Sequence, residues 1–300
     1  MRPAKPAGAP QRNYPSGFAP VRPMPHLLLI QSPDEPGLIY KITAVLFAHG
    51  LNILRNDEFV EPAGNVFFMR TEFAGAFDAG ALGAALAGAL PAAATVRLSD
   101  NRPKDVVLLV TKEHHCLSEL LVRHAFGELN ANVLAVVSNH EVLGPLTRQF
   151  GVPFHYLPHA GRSRAAHEAE VLAALAGYRP DLVVLAKYMR ILSPEFVAPY
   201  ANRLVNIHHS FLPAFVGASP YAQAHARGVK IIGATAHFVN EQLDEGPIIA
   251  QRVIPTDHTR SAREMAQAGR DVEKIVLARA LELVLDERVF VHRNKTVIFD

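Results

Sequence analysis

The chain has 300 residues, of which 49% are hydrophobic and 19% are charged, and its formal net charge is +2 at pH 7. These values predict a folded protein with a sizeable core, built as one large or two ordinary domains, and they exclude a disordered chain. The near-neutral charge gives no electrostatic reason to expect nucleic acid or an acidic membrane surface as a partner. A single cysteine, Cys116, excludes an internal disulfide and suits a reducing compartment.

The N-terminal segment differs in composition from the rest of the chain. Residues 1–25 are rich in proline, alanine and arginine and lack the apolar centre of a secretory signal, so we interpret them as a loosely attached tail. No apolar run reaches the roughly 18 residues that a membrane-spanning helix needs. We therefore expect no membrane association and a cytoplasmic location.

Residues 26–99 predict a βαββαβ unit. Helical spacing of apolar residues begins near Ile39 and ends at Gly50, while Pro62-Ala63-Gly64 predicts a hairpin turn. The remaining predicted elements are strands at 26–31, 51–61, 65–73 and 94–99 and an alanine-rich helix at 78–91. This order is that of a ferredoxin-like sandwich.

A charged segment that contains a proline, residues 100–105, predicts a linker to a second domain over 106–300. In that domain, near-continuous apolar runs alternate with amphipathic stretches, which predicts a Rossmann-like, mostly parallel sheet with helices on both faces. The predicted strands are 105–111, 133–139, 154–158, 181–188, 204–209, 230–239 and 247–254, and the predicted helices are 116–129, 163–178, 194–200 and 262–287. No GxGxxG pattern follows the first strand, which argues against a dinucleotide cofactor.

Polar side chains interrupt the apolar strand that ends at Asn206-Ile207-His208. The period of two places Asn206 and His208 on one face and directs His209 to the other. An asparagine can donate to a developing oxyanion, and a histidine can carry a proton near neutral pH. Asp244, in a loop between two later strands, can hold such a histidine. If both segments lie at the carboxyl edge of the sheet, they form a hydrolytic or acyl-transfer site without a covalent nucleophile.

Each of these residues also has a structural interpretation. An Asn-x-His pair on a strand is more often structural than catalytic, His209 suits a structural role, and Asp244 suits a turn. His237 can face either the site or the core, and the role of Lys187 stays open. His114-His115-Cys116 contains metal-ligand types, but without a second ligand cluster we predict no metal site and interpret Cys116 as the start of a helix.

Four segments together resemble the folate-dependent formyltransferase family: AKYMRILSP (186–194), NIHHSFLPAF (206–215), GATAHFV (233–239) and LDEGPII (243–249). The resemblance implies a catalytic trio of Asn206, His208 and Asp244, with a folate as substrate and no further cofactor. It also implies two folate-binding walls, in which Arg190 meets the glutamate tail and apolar side chains flank the pterin ring. The implied wall residues are Met189, Arg190, Ile191, Leu192, Glu241, Gln242 and Leu243.

One departure indicates the branch of the family. Members that formylate glycinamide ribonucleotide carry a glycine- and serine-rich phosphate loop after the first strand, but here TKEHHCLSELL (111–121) has no glycine. This difference, the segment 215–230 and the N-terminal unit resemble the deformylase branch. That resemblance implies hydrolysis of 10-formyltetrahydrofolate, which supplies formate for purine synthesis and balances the one-carbon pool. Transfer of the formyl group to an amine acceptor is the alternative.

The N-terminal unit resembles an ACT domain through PDEPGLIYKITAVLFAHGLNI (33–53). The resemblance implies a homo-oligomer that forms through these domains. It also implies amino-acid effectors, glycine or methionine, at Asp34, Gly37 and Asn52. A unit that serves dimerisation alone is an equally good interpretation.

Overall fold

The structure is a computed structural model that describes residues 25–214 and 220–300. Three predictions fall at least partly outside these residues, one of them, the family-like segment 206–215, only with Phe215. The tail over 1–25 lies outside them except for Pro25, and so does the beginning, 215–219, of the family-like segment 215–230. Within the described ranges, no helix is long and apolar enough to cross a membrane.

A four-stranded antiparallel sheet with two helices forms the N-terminal part of the described chain. Its elements in chain order are β1 (His26–Pro33), α1 (Leu38–Ala48), β2 (Asn52–Glu61), β3 (Val66–Ala74), α2 (Ala79–Ala89) and β4 (Thr95–Ser99). The strands pair in the order β2-β3-β1-β4, which confirms the predicted ferredoxin-like arrangement. Gly37, with a φ of 90°, turns the chain into α1, and the Asp78 carboxylate caps α2 by accepting from the amide of Ala81.

A seven-stranded sheet forms the second part of the described chain. Its strands are β5 (Lys104–Val110), β6 (Ala131–Ser138), β7 (Phe154–Tyr156), β8 (Leu182–Leu185), β9 (Leu204–His208), β10 (Ile231–Phe238) and β11 (Ile248–Pro255). They lie in the order β11-β10-β9-β8-β5-β6-β7, with β5 to β9 parallel and β10 and β11 antiparallel, which confirms a mostly parallel sheet. Because β5 begins at Lys104, the last two residues of the predicted linker 100–105 belong to the sheet.

Helices cover both faces of the seven-stranded sheet. They are α3 (His115–Ala125), α4 (Gly144–Gln149), α5 (Arg164–Tyr178), α6 (Pro194–Val197) with a 3-10 turn after it (Ala198–Tyr200), α7 (Pro220–Arg227) and α8 (Ala262–Leu285). Apolar residues of α3 and α8 pack on one face, and those of α5 pack on the other. In β9, Val205 and Ile207 belong to the first of these cores. Asn206 and His208 alternate with them and therefore project from the opposite face.

Left-handed residues end two of the elements earlier than the sequence predicts. The helix predicted over 116–129 ends at Ala125, just before Gly127 with a φ of 73°. The strand predicted over 181–188 ends at Leu185, because Lys187 has a φ of 64°, which no strand accommodates.

The C-terminal hairpin was not predicted, because its strands β12 (Val289–His292) and β13 (Lys295–Ile298) are too short for a periodic pattern. The hairpin contacts both parts of the chain. The Phe290 ring meets the ring of Phe68 in the N-terminal sheet edge-on, at 5.6 Å between centroids. Nδ2 of Asn294 donates to the carbonyl oxygen of Glu245, at 2.8 Å, in the loop between β10 and β11.

Glu287, just after α8, fastens that helix to the N-terminal sheet. Its buried carboxylate accepts from Oγ of Ser99 at 2.6 Å and forms ion pairs with Arg97 and Lys104. Its carbonyl oxygen accepts from Nε of Arg70 in β3 at 3.1 Å. One acidic residue therefore joins two sheets that are far apart in sequence.

Candidate active site

Asp244 reaches His208 from a loop that starts at the other end of β9. Because β10 runs antiparallel to β9, the loop leaves the sheet beside Leu204, where the amide of Val239 donates to the Leu204 carbonyl oxygen at 2.8 Å. The loop therefore starts at the end opposite to the expected carboxyl edge, but it returns along β9 and brings Asp244 to His208, where β9 ends. A side chain at Gly246 would collide with the carbonyl oxygen of Phe238, so only glycine lets the loop fold back this closely.

The predicted trio lies together in the folded chain. Asp244 has a φ of 57°, a left-handed conformation that aspartate tolerates better than most residues. Its Oδ2 lies 3.2 Å from Nδ1 of His208. Asn206 projects from the same face of β9, two residues earlier. The loop conformation thus sets the distance between the carboxylate and the imidazole.

His237 in β10 completes the cluster, which settles the alternative that the sequence left open. Its Nε2 lies 3.2 Å from Nδ2 of Asn206 and 3.7 Å from Oδ1 of Asp244. Its Nδ1 donates to the carbonyl oxygen of Phe238 at 2.8 Å, which fixes the ring. Strand alternation alone could not decide between the two faces of β10. The pairing of His237 with Asn206 in the register of β9 and β10 decides it.

The Asp244 carboxylate is held in its ionised form. Burial alone would raise the pKa of Asp244, but the adjacent imidazole rings of His208 and His237 hold it well below its ordinary value. The Nδ1–H of His208 therefore donates to the carboxylate. Nε2 of His208 is buried and has no hydrogen-bond partner among the described residues, so an acceptor for a proton remains free in the site.

His209 does not point away from His208 as the alternation predicts. The two rings stack at 4.9 Å between centroids, with an angle of 17° between their planes. The alternation fails here because β9 ends at His208, so the next residue no longer follows strand geometry. Nδ1 of His209 accepts from the ammonium group of Lys187 at 3.1 Å.

Three donors share the buried carboxylate of Glu273 in α8. Its Oε2 accepts from Nε2 of His115 at 2.8 Å and lies 3.1 Å from the ammonium of Lys187, while its Oε1 accepts from the hydroxyl of Tyr221 at 2.7 Å. Burial alone would raise the pKa of Glu273, but these donors lower it to about 2. A side chain at Gly269 would collide with the Tyr221 hydroxyl, so this glycine leaves room for the phenol.

His115, Cys116 and Glu273 place metal-ligand atom types within 4.8 Å of one another. The donor set does not fit a cation, because both oxygens of Glu273 are engaged and Lys187 adds a positive charge. Burial also raises the pKa of the Cys116 thiol well above its ordinary value, and a thiol binds metal only as thiolate. The cluster therefore suits an ion-pair network.

The two segments expected to bind folate lie on the face from which Asn206 and His208 project. Leu192 and Val239 pack against the core on that face, and the amide of Met189 donates to Oγ1 of Thr111 at 2.9 Å. Large apolar side chains in these segments remain more than half exposed, namely Met189, Ile191 and Leu243. Among the polar wall residues, Arg190 is half-buried, and Glu241 and Gln242 are exposed. Both segments therefore keep apolar side chains at the surface, where a ligand can reach them.

The three candidate effector residues do not lie together within one chain. Asp34 follows β1, where its amide donates to the carbonyl oxygen of Asn65 at 2.9 Å, and Gly37 precedes α1. Asn52 pairs with Ala74 at the far end of the nine-residue strand β3. The length of that strand separates Asn52 from Asp34 by about 25 Å.

Comparison with known proteins gives the family. A family model described as formyl transferase matches residues 104–281. A formyltetrahydrofolate deformylase of Haemophilus influenzae is 52% identical over 272 residues, which are 91% of this chain and 98% of that protein. The deformylase of Bacillus subtilis is 43% identical over 280 residues, 91% of this chain and 93% of that protein.

Comparison with solved structures gives the same family. The crystal structure of a formyltetrahydrofolate deformylase from Pseudomonas syringae superposes with a TM-score of 0.89 at 40% identity, covering 93% of this chain and 96% of that one. A phosphoribosylglycinamide formyltransferase from Coxiella burnetii superposes with a TM-score of 0.61 at 28% identity, covering 66% of this chain and 94% of that one. The chain therefore belongs to the formyltetrahydrofolate deformylases within the formyl transferase family.

Proposed function

We propose that the protein hydrolyses 10-formyltetrahydrofolate to formate and tetrahydrofolate. The observation that carries this proposal is the pairing of Nδ1 of His208 with the ionised Asp244, which leaves Nε2 of His208 free in a buried site. The relatives that share most of this chain's length are formyltetrahydrofolate deformylases. The implied metabolic role is to supply formate for purine synthesis and to balance the one-carbon pool.

In the proposed reaction, a water molecule next to His208 attacks the formyl carbon and gives its proton to Nε2. The new carbon–oxygen bond pushes an electron pair onto the formyl oxygen and creates a tetrahedral oxyanion. The bond between carbon and N10 then breaks, and N10 takes the proton back from His208. The products are tetrahydrofolate and formic acid, which ionises to formate at neutral pH. The scheme uses no metal or organic cofactor.

Asn206 is proposed to stabilise the oxyanion. One hydrogen of its amide points to Nε2 of His237, at 3.2 Å between nitrogen atoms, which fixes the orientation of the group. The second hydrogen is then available to the substrate. A fixed donor stabilises the transition state more than the substrate, because the negative charge on the oxygen grows during the attack.

The folate is proposed to lie between the segment 189–192 and the loop 241–243. Met189, Ile191 and Leu243 offer exposed apolar surface for the pterin ring, and Arg190 offers a guanidinium for the glutamate tail. Leu192, Glu241 and Gln242 complete the walls through packing and backbone groups.

The assay that tests the function is formate release from the purified protein and 10-formyltetrahydrofolate, with no amine present. Hydrolysis predicts one formate for each tetrahydrofolate formed. The alternative, transfer to an amine, predicts turnover only when an acceptor such as glycinamide ribonucleotide is added. An Asp257→Asn variant, which alters an exposed carboxylate outside the site, controls for activity lost during preparation of the variants.

We also propose that chains associate through their N-terminal parts. β2 is an edge strand with exposed Leu54, Phe59 and Val60, and α1 exposes Tyr40 and Phe47. Glycine or methionine is proposed to bind near Asp34 and Gly37, without Asn52 of the same chain. The cytoplasm is the proposed location, which suits a chain whose one cysteine is a free thiol.

A further inference from the structure

A buried lysine lies next to the ring that stacks on His208. Lys187 is 4% exposed and follows β8 at a φ of 64°. The adjacent strands β5 and β8 mark the point where the strand order of the sheet reverses, which is where open α/β sheets bind ligands. Strained backbone positions cluster at functional sites, so the contacts of this lysine bear on function.

The contacts of Lys187 fix the tautomer of His209. Its ammonium group lies 3.1 Å from Oε2 of Glu273 and 4.0 Å from Oε1 of Glu113, and it donates to Nδ1 of His209 at 3.1 Å. An ammonium group has hydrogens only to give, so Nδ1 of His209 acts as acceptor and the ring hydrogen lies on Nε2. The same contact excludes a second hydrogen at Nδ1, and the ring stays neutral.

The charges around His209 favour the same neutral form. The titratable groups that face it come from every neighbouring element: Lys187 after β8, His208 in β9, Tyr221 in α7, Asp244 in the loop after β10, and Glu273 in α8. Burial, then Lys187 and His208, lower the pKa of His209 to about 4, against the opposing pull of Glu273 and Asp244. The ring is therefore uncharged at neutral pH.

A neutral His209 matters because its ring lies against His208, with 4.9 Å between centroids. In the proposed hydrolysis, His208 gains a proton as the water attacks. A positive charge on the neighbouring ring would oppose that step by Coulomb repulsion at short range, in a poorly solvated place. The two histidines therefore cannot both carry a proton without slowing the reaction.

We propose that Lys187 is a positioning residue that acts through His209, keeping this ring neutral and in one tautomer so that His208 alone takes the proton of the attacking water. The predicted effect on turnover rests on the proposed hydrolysis. The control of the protonation of His209 by Lys187 does not depend on the substrate.

The first test follows the histidine rings by NMR in the full-length protein without substrate. In Lys187→Met, the pKa of His209 rises towards the ordinary histidine value of about 6.5, because Glu273 keeps its charge while the ammonium is gone. In Lys187→Arg, which keeps the positive charge, the pKa of His209 stays low. An unchanged titration of His209 in Lys187→Met overturns the proposal.

The second test measures kcat between pH 5 and pH 8. The ratio of unmodified to Lys187→Met kcat is expected to grow as pH falls, by on the order of 10- to 100-fold over this range. In Lys187→Met/His209→Phe, where a neutral ring replaces the titrating one, the extra loss at low pH disappears. A loss that is the same at every pH, or one that persists in the double variant, overturns the proposal.

The outcomes separate this proposal from the proposed function. If the unmodified protein releases no formate, hydrolysis is wrong, but the NMR titration still decides whether Lys187 controls His209. If Lys187→Met fails to fold because it leaves Glu273 buried with less compensation, Lys187→Gln, which keeps a hydrogen-bond donor for Glu273 without the positive charge, takes its place in both tests.

Discussion

Nδ1 of His208 and Oδ2 of Asp244 lie 3.2 Å apart, although 36 positions separate the two residues in the chain. The distance depends on a loop that leaves the sheet at the far end of β9 and returns. Gly246 permits that return by allowing close contact with the carbonyl of Phe238. The carboxylate then selects the His208 tautomer whose Nε2 can accept a proton.

Removing the charge of Asp244 tests its pairing with His208. Asp244→Asn keeps the size of the side chain but removes the negative charge that orients and stabilises the His208 imidazolium. We expect kcat to fall on the order of 10³-fold or more, with a much smaller change in KM, as for other carboxylate–histidine pairs. Steady-state kinetics over several folate concentrations give both constants. Equal losses in the exposed control Asp257→Asn, or a change confined to KM, would contradict the assigned role.

Removing the proposed oxyanion donor gives a second prediction. Asn206→Ala should lower kcat by about 10²- to 10³-fold, the usual effect of losing one such donor. Binding of tetrahydrofolate should change little, because the product lacks the formyl oxygen. Single-turnover rates and equilibrium binding of tetrahydrofolate separate the two effects. Full activity in this variant would show that Asn206 only holds His237.

The sequence was sufficient for what local pattern and short motifs determine. Period-two and helical patterns predicted the two sheets, and the motif around Asn206 and His208 predicted the trio that the fold brings together. It was not sufficient where the chain leaves regular geometry. His209 stacks on His208 because β9 has ended, and Lys187 reaches His209 because of a left-handed turn after β8. Neither event has a periodic signature.

Two glycines inside helices make a matched stability prediction. Glycine-to-alanine changes in a helix interior normally stabilise by about 0.5–1 kcal/mol. Gly83→Ala in α2 should show this gain, because nothing lies within 4 Å of the new methyl group. Gly269→Ala in α8 should instead destabilise by roughly 1–3 kcal/mol, because the methyl group collides with Tyr221 and displaces it from Glu273. Thermal unfolding of the two variants side by side checks the opposite signs. A gain in both would mean that the Tyr221 ring moves without loss.

The buried carboxylate of Glu287 predicts how stability depends on pH. Burial alone would raise the pKa of Glu287, but donors from Lys104 and Ser99 and the charge of Arg97 lower it below its ordinary value. A lowered pKa in the folded state means that the contribution is complete above about pH 4.3, the value for an unfolded chain, and is lost as pH falls through the lower folded value. Glu287→Gln should therefore destabilise by about 1–3 kcal/mol at pH 7. The difference from the unmodified protein should shrink as the pH approaches 3. Urea unfolding at several pH values measures this difference, with Glu282→Gln, which alters an exposed carboxylate of α8, as the control. A difference that is constant with pH would mean that Glu287 acts through packing and not through its charge.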